Sequence, residues 1–273
     1  MERTVTTARI AGPRTAVIWS VLRDELAGHD GRPLGVVDVG GGTGGFAVPL
    51  AEAGHTVTVV DPSPDALASL LRRATDAGVA DRVRALQGDA DSLGDLVPPA
   101  AADLVLCHAV FEYVDDPDAV AQALHDALRP GGAASVLVAN RAAAVLSRAI
   151  AGQWQAATAL LAAGGESAEA GRRPGGPSGR ATSADTQARA AARDTVRRRF
   201  DLLGAEALLA EAGLHVEQAH GVRVVADLVP GVVADADPES LLAFELAASA
   251  VPPYRDVATQ LHLLARRRGS SED

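Results

Sequence analysis

Over the first 140 residues, short apolar runs alternate with helix-patterned stretches, and this alternation constrains the fold more than any other feature. The runs span 34–39, 56–60, 83–86, 103–107 and 133–139 and are rich in Val, Leu and Ala. Each is continuous rather than alternating, as expected of a strand covered on both faces. Between them, Ser63-Pro64 and Asp116-Pro117 set a capping side chain before a proline at the first helical position. The first pair leads into Leu67, Leu70, Leu71 and Ala74 and stops at Gly78. The second leads into Val120, Ala123, Leu124 and Leu128 and stops at Arg129-Pro130-Gly131-Gly132. This pattern predicts an α/β fold with a mainly parallel sheet and helices on both faces.

After Asn140 the pattern changes. A helix is predicted from Ala142 to Ile150, running on toward Trp154 and Leu161. Residues 162–195 then contain no Val, Leu, Ile, Met or aromatic side chain, too little apolar area to order a segment unaided. The expectation is a flexible Arg/Gly-rich insertion at 162–199. Order resumes with a helix capped by Asp201, a strand at 214–219, a helix begun by Asp237-Pro238 and a last strand near 259–265. At 273 residues and 48 % hydrophobic content, a single domain over 1–273 is expected.

All 25 basic residues are arginine, which excludes chemistry that needs a lysine, such as Schiff bases and the P-loop lysine. The single cysteine, Cys107, excludes an intrachain disulfide and any multi-cysteine metal site. The histidines are scattered without paired ligand spacing, so no metal is expected. No apolar run reaches the length of a membrane span, and no apolar leader segment follows Met1. A cytoplasmic protein is expected; the sequence says nothing of its oligomeric state.

The string Val36-Val37-Asp38-Val39-Gly40-Gly41-Gly42-Thr43-Gly44-Gly45 follows a predicted strand and opens a helix. Backbone amides there can approach a ligand where no Cβ stands in the way. Gly40, Gly42 and Gly45 fit the dinucleotide loop. Asp38, Gly40, Gly42 and Gly44 fit the acidic loop of methyltransferases. On its own the loop leaves a nicotinamide cofactor and S-adenosylmethionine both open. Asp61, ending the second strand, suits the ribose hydroxyls of either one. Asp89 and Asp91 lie after the third strand, where adenine edges are read in this architecture; they read equally as solvated loop acids.

The stretch Leu106-Cys107-His108-Ala109-Val110-Phe111-Glu112-Tyr113-Val114, with Leu128-Arg129-Pro130-Gly131-Gly132 downstream, adds the context the loop lacks. Together these motifs closely resemble class I S-adenosylmethionine-dependent methyltransferases, with residues 34–139 as the cofactor-binding half. A narrower resemblance, to the tRNA 5-carboxymethoxyuridine methyltransferases, runs through Arg14-Thr15-Ala16-Val17-Ile18-Trp19, Asn140, Ala151-Gly152-Gln153-Trp154, Gly221-Val222-Arg223-Val224 and Leu261-His262-Leu263. It implies that Arg14, Gly40, Gly41, Asp61, Ala90, Asp91 and His108 line the S-adenosylmethionine site. Asp91 stands where that family usually has an amide, and the family's lysine run is absent. It also implies a seven-strand sheet with its last strand antiparallel, under a lid that contains the 140–200 insertion.

A carboxylate acceptor is ionised at neutral pH and needs orientation rather than a base, and Arg223, supported by Asn140, is the candidate for that role. Either also reads as a structural residue, Arg223 on the surface and Asn140 in a turn. An amine or hydroxyl acceptor calls for a base, for which His108 and His220 are available; Cys107 reads as a small core residue. Residues 141–199 hold 10 Arg against 4 acidic residues in a chain of net charge −10. Arg172, Arg173, Arg189, Arg193, Arg197, Arg198 and Arg199 either contact RNA phosphates or keep a loop solvated. The alternatives are a small-molecule O- or N-methyltransferase, a nicotinamide oxidoreductase and a non-catalytic S-adenosylmethionine-binding partner protein.

Overall fold

The valine- and leucine-rich runs pair side by side into one seven-stranded sheet, ordered β3-β2-β1-β4-β5-β7-β6. The computed structural model describes residue 12 and residues 14–166 and 198–269. The strands are β1 Gly35–Val39, β2 Thr56–Asp61, β3 Val83–Gln87, β4 Ala102–His108, β5 Leu128–Ala139, β6 Leu214–Val222 and β7 Gln260–Arg267. The first five are parallel, and β7 runs antiparallel between β5 and β6. Every predicted strand is present, with ends moved by a few residues. The largest change is in β5, which begins at Leu128 rather than 133.

Helices cover both faces. On one side lie α1 (Ala16–Ala27), α2 (Ala47–Glu52) and α3 (Pro64–Asp76), which bury Ile18, Leu22, Leu50 and Leu70 against Val57, Leu104 and Leu264. A four-residue turn, α4 (Leu93–Leu96), precedes β4. On the other side α5 (Pro117–Ala127) and α8 (Leu202–Glu211) pack Leu124 and Leu209 onto Val105, Val136 and Leu263. Proline-headed caps form as expected. The Ser63 hydroxyl accepts the Ala66 N–H, and the Asp116 carboxylate accepts those of Asp118 and Ala119.

The predicted helix from Ala142 forms as two. Gly152, with φ of +73°, separates α6 (Arg141–Ile150) from α7 (Trp154–Glu166). Residues 162–166, expected in the flexible insertion, continue α7. The remainder of that insertion, with Arg172, Arg173, Arg189, Arg193 and Arg197, lies outside the described residues. Two helices, α9 (Gly231–Ala236) and α10 (Pro238–Ala248), follow β6.

Strand direction decides where a site can form. Val39, Asp61, His108 and Ala139 end parallel strands at one edge of the sheet, and the antiparallel pairing brings Gln260 opposite Ala139 and Val222 opposite Gln260 at that edge. The strand order reverses between β1 and β4, the place where open α/β sheets bind ligands.

Candidate functional site

The glycine loop leaves β1 and turns back beneath α3. Gly40, Gly42 and Gly44 have φ of +69°, +55° and +80°, a region that costs other residues about 1–2 kcal/mol. The Gly44 N–H donates to the Gly41 carbonyl, and the Arg73 guanidinium of α3 clamps the Thr43 carbonyl at 2.7 Å. The glycines serve different ends. A Cβ on Gly41 would lie 2.5 Å from the Asp38 carboxylate, and one on Gly44 would lie 2.3 Å from Leu70. A Cβ on Gly42 would have only ordinary contacts, Asp61 Oδ2 at 3.9 Å and the Gly40 carbonyl at 4.0 Å. Gly41 and Gly44 are therefore required by packing, whereas Gly42 borders open space beside Asp61.

Two carboxylates lie under this loop. Asp61 accepts the Gly42 N–H on Oδ2 and the Ser63 N–H on Oδ1, both at 2.9 Å, so it ties the loop to the end of β2. Asp38 is buried, and its Oδ2 has no hydrogen-bond partner among the described residues. Burial, reinforced by the Asp61 charge, pushes its pKa up to about 7. An unpartnered buried carboxylate is costly by itself and becomes favourable once a cation or donor reaches it.

Ala90 is buried in a turn after β3, where the Asp89 carboxylate accepts the Ser92 N–H; Asp91 beside it is exposed. Arg14 is exposed in the turn before α1. His108 ends β4, and the next residue, Ala109, takes a left-handed φ of +55° while donating its N–H to the Leu137 carbonyl. Phe46 meets the His108 ring edge-on at 4.7 Å and stacks on Trp19 of α1 at 5.1 Å. His108 Nε2 contacts the Ser135 hydroxyl at 2.9 Å, which in turn contacts His262 Nε2 at 2.7 Å. Burial lowers the His108 pKa to about 4, so the ring is neutral at pH 7. Cys107 is fully buried and its pKa is raised by that burial, which matches the reading of it as a core residue.

Further along the edge, a cavity of about 430 Å³ opens between β5, α6 and the segment after β6. Asn140, Ser147, Arg199, Arg223, Asp227 and Thr259 are among its lining residues, with an apolar wall of Leu146, Ile150, Leu228 and Val257. Arg223 has φ of +60°. Its guanidinium donates through Nε (2.7 Å) and Nη2 to the same oxygen, Oδ2 of Asp227. Asn140 lines the same cavity. Its amide nitrogen donates to the Asp256 and Ala258 carbonyls, and its oxygen accepts the Ala142 N–H. Both amide hydrogens go to backbone carbonyls, and the side chain fixes the start of α6.

Residues 37–136 match a family model described as a methyltransferase domain. This stretch covers the glycine loop, Asp61 and His108, and it stops short of the cavity beyond β5. Among curated relatives, the chain is 36 % identical over 142 residues to the tRNA 5-carboxymethoxyuridine methyltransferase of Escherichia coli (strain K12), covering 52 % of this chain and 54 % of that one. It is 32 % identical over 118 residues to a ubiquinone biosynthesis O-methyltransferase of Cupriavidus pinatubonensis, covering 43 % and 45 %. The chain thus spans about half the length of the curated relatives it matches. An S-adenosylmethionine dependent methyltransferase structure from Mesorhizobium loti superimposes with a TM-score of 0.58 at 23 % identity, over 94 % of this chain and all of that one, which establishes the shared fold.

Three residues around the matched stretch escaped the sequence reading. Glu112, in the Phe111-Glu112-Tyr113 motif, is buried and accepts the Ala139 N–H. It thereby ties the segment after β4 to the end of β5. Glu245, fully buried on α10, accepts the N–H groups of Val224, Val225 and Ala226. The signal for it was one charge inside the apolar run Leu241 to Leu246. Asp227 stands four residues after Arg223, a spacing that sequence alone does not distinguish from chance.

Proposed function

We propose that the chain is an S-adenosylmethionine-dependent methyltransferase whose acceptor carries a carboxylate, in a modified wobble uridine of tRNA. The observation that carries the acceptor is Arg223, whose quarter-exposed guanidinium lines a cavity on the same sheet edge as the glycine loop. The residues at the loop fit the donor. Gly42 leaves room where a side chain would intrude, Asp38 offers a buried unpartnered oxygen to a cationic amine, and Asp61 stands where ribose hydroxyls are bound. Gly40, Gly41, Gly44, Ala90, Asp91 and His108 would complete that wall, with Arg14 at its rim.

The donor supplies a methyl group on a sulfonium, already a good leaving group. What the protein contributes is orientation and exclusion of water. Arg223 binds the acceptor carboxylate and aims one oxygen toward the donor. The acceptor carboxylate arrives ionised, so no side chain has to remove a proton, and neutral His108 serves as a wall. Leu146, Ile150, Leu228 and Val257 are exposed along the cavity and offer an apolar wall that a bound acceptor would cover.

The tRNA substrate is drawn from the Escherichia coli relative, and Arg199 lines the same cavity as Arg223. A second reading, a small-molecule O-methyltransferase, draws on the ubiquinone-pathway relative and on that same apolar wall. Methyl transfer from radiolabelled S-adenosylmethionine into fractionated extract separates them. Label in the tRNA fraction, released by mild alkali as an ester would be, is the expected result. Label confined to small molecules would replace the first reading with the second.

A further inference from the structure

The contact between Arg223 and Asp227 is built rather than incidental. Glu245 gathers three consecutive backbone N–H groups, those of Val224, Val225 and Ala226, at 2.7, 2.9 and 2.8 Å. The turn continues with the N–H groups of Leu228 and Val229 donating to the Val225 carbonyl. Residues 223–229 are thus held as one rigid turn, with Arg223 strained at its head. That turn brings the Asp227 carboxylate back onto the guanidinium, with the two side chains 24 % and 27 % exposed. Both residues line the cavity. Two N–H donors of the arginine converge on one carboxylate oxygen, the kind of contact an acceptor carboxylate would need.

We propose that Asp227 is a specificity-determining residue that occupies Arg223 as an internal carboxylate and must be displaced by the acceptor. The inference rests on the proposed carboxylate acceptor. A neutral acceptor, or one bearing a hydroxyl in place of the carboxylate, cannot compete with Asp227 for the guanidinium. Only an anion has the charge and the paired oxygens to replace it. Asp227 therefore lowers affinity for every acceptor while preserving the arginine for anionic ones, selectivity obtained by competition rather than by added contacts. A partly exposed ion pair of this kind contributes up to about 1 kcal/mol, so its removal is expected to change acceptor affinity by roughly fivefold.

The test uses the full chain with S-adenosylmethionine and tRNA bearing the carboxymethoxy group. Asp227→Asn is expected to lower the acceptor KM about fivefold with kcat within twofold of the parent. In an Arg223→Ala background, where turnover is lost, the same substitution should leave the calorimetric affinity for 5-carboxymethoxyuridine where it was. Calorimetric titration with 5-carboxymethoxyuridine alone should tighten in Asp227→Asn by the same factor. An unchanged or raised KM, or a fall in kcat, overturns the inference and makes Asp227 a residue that orients Arg223. Asp227→Ala guards against an effect peculiar to the asparagine amide and should move KM in the same direction. Absence of alkali-labile methylation by the parent protein overturns the carboxylate reading itself, and this inference with it. That failure is distinguishable because it is seen before any variant is made.

Discussion

Glu245 determines where Arg223 stands without touching its side chain. The buried carboxylate holds the three backbone N–H groups that follow Arg223 in the chain, and the arginine accepts a left-handed φ of +60° as a consequence. Strain of this kind persists only where the surroundings over-determine it, and it gathers at sites of function.

Glu245→Gln leaves one oxygen to serve three donors. We expect a loss of about 2–3 kcal/mol in stability and a rise in acceptor KM with S-adenosylmethionine affinity retained. Denaturant melts and calorimetry on the same preparation measure both. A variant with unchanged acceptor KM would show that the turn does not position Arg223. Arg223→Ala should abolish turnover of the carboxylate acceptor while S-adenosylmethionine still binds.

Asn140 should act on folding and not on chemistry. Its side chain satisfies two carbonyls and one N–H at the joint between β5, α6 and the segment before β7. Asn140→Ala strands those groups, and a cost of about 2–3 kcal/mol follows from the lost bonds and the lost cap. Urea midpoints should record it. A stable but inactive Asn140→Ala protein would return the residue to a direct role with the acceptor.

Asp38 gives the folded protein a pH dependence whose sign is fixed by its surroundings. Unfolded, the carboxyl releases its proton near its ordinary value of 3.8; folded, it keeps the proton up to about pH 7. Across that window the folded chain binds more protons, so stability falls as pH rises. His108, lowered to about 4 by burial, works in the opposite sense: its share of stability is lost as pH drops from about 6.5 toward 4. Asp38→Asn should therefore raise the melting temperature of the ligand-free protein at pH 8, by an amount that shrinks toward pH 4. Equal shifts at both pH values would mean that the carboxylate is not strained.

The Val- and Leu-rich runs and proline-headed helices made the sheet legible before any coordinates, because a covered parallel strand has no alternative apolar pattern. The glycine loop was legible for the same kind of reason: positive φ at Gly40, Gly42 and Gly44 excludes most side chains. The acceptor side was not. Its determinants, Asn140 on distant carbonyls, Glu245 on a neighbouring turn and Asp227 on Arg223, are polar contacts whose partners depend on how β6, β7 and α10 assemble. No local periodicity encodes them. The break between α6 and α7 had a local signal, Gly152, which the apolar spacing on both sides concealed.

The central claim is that the loop after β1 binds S-adenosylmethionine, and titration calorimetry with two glycine variants tests it most directly. Gly42→Val places its side chain in the open space beside Asp61, at a backbone cost of about 1–2 kcal/mol. Gly41→Ala instead collides with Asp38 and Val59, and overpacking of that sort costs about 1–3 kcal/mol of stability. We expect the parent protein to bind S-adenosylmethionine, and Gly42→Val to remain folded with no measurable binding. Binding retained in folded Gly42→Val, or a parent protein that binds a nicotinamide dinucleotide and not S-adenosylmethionine, would contradict the account.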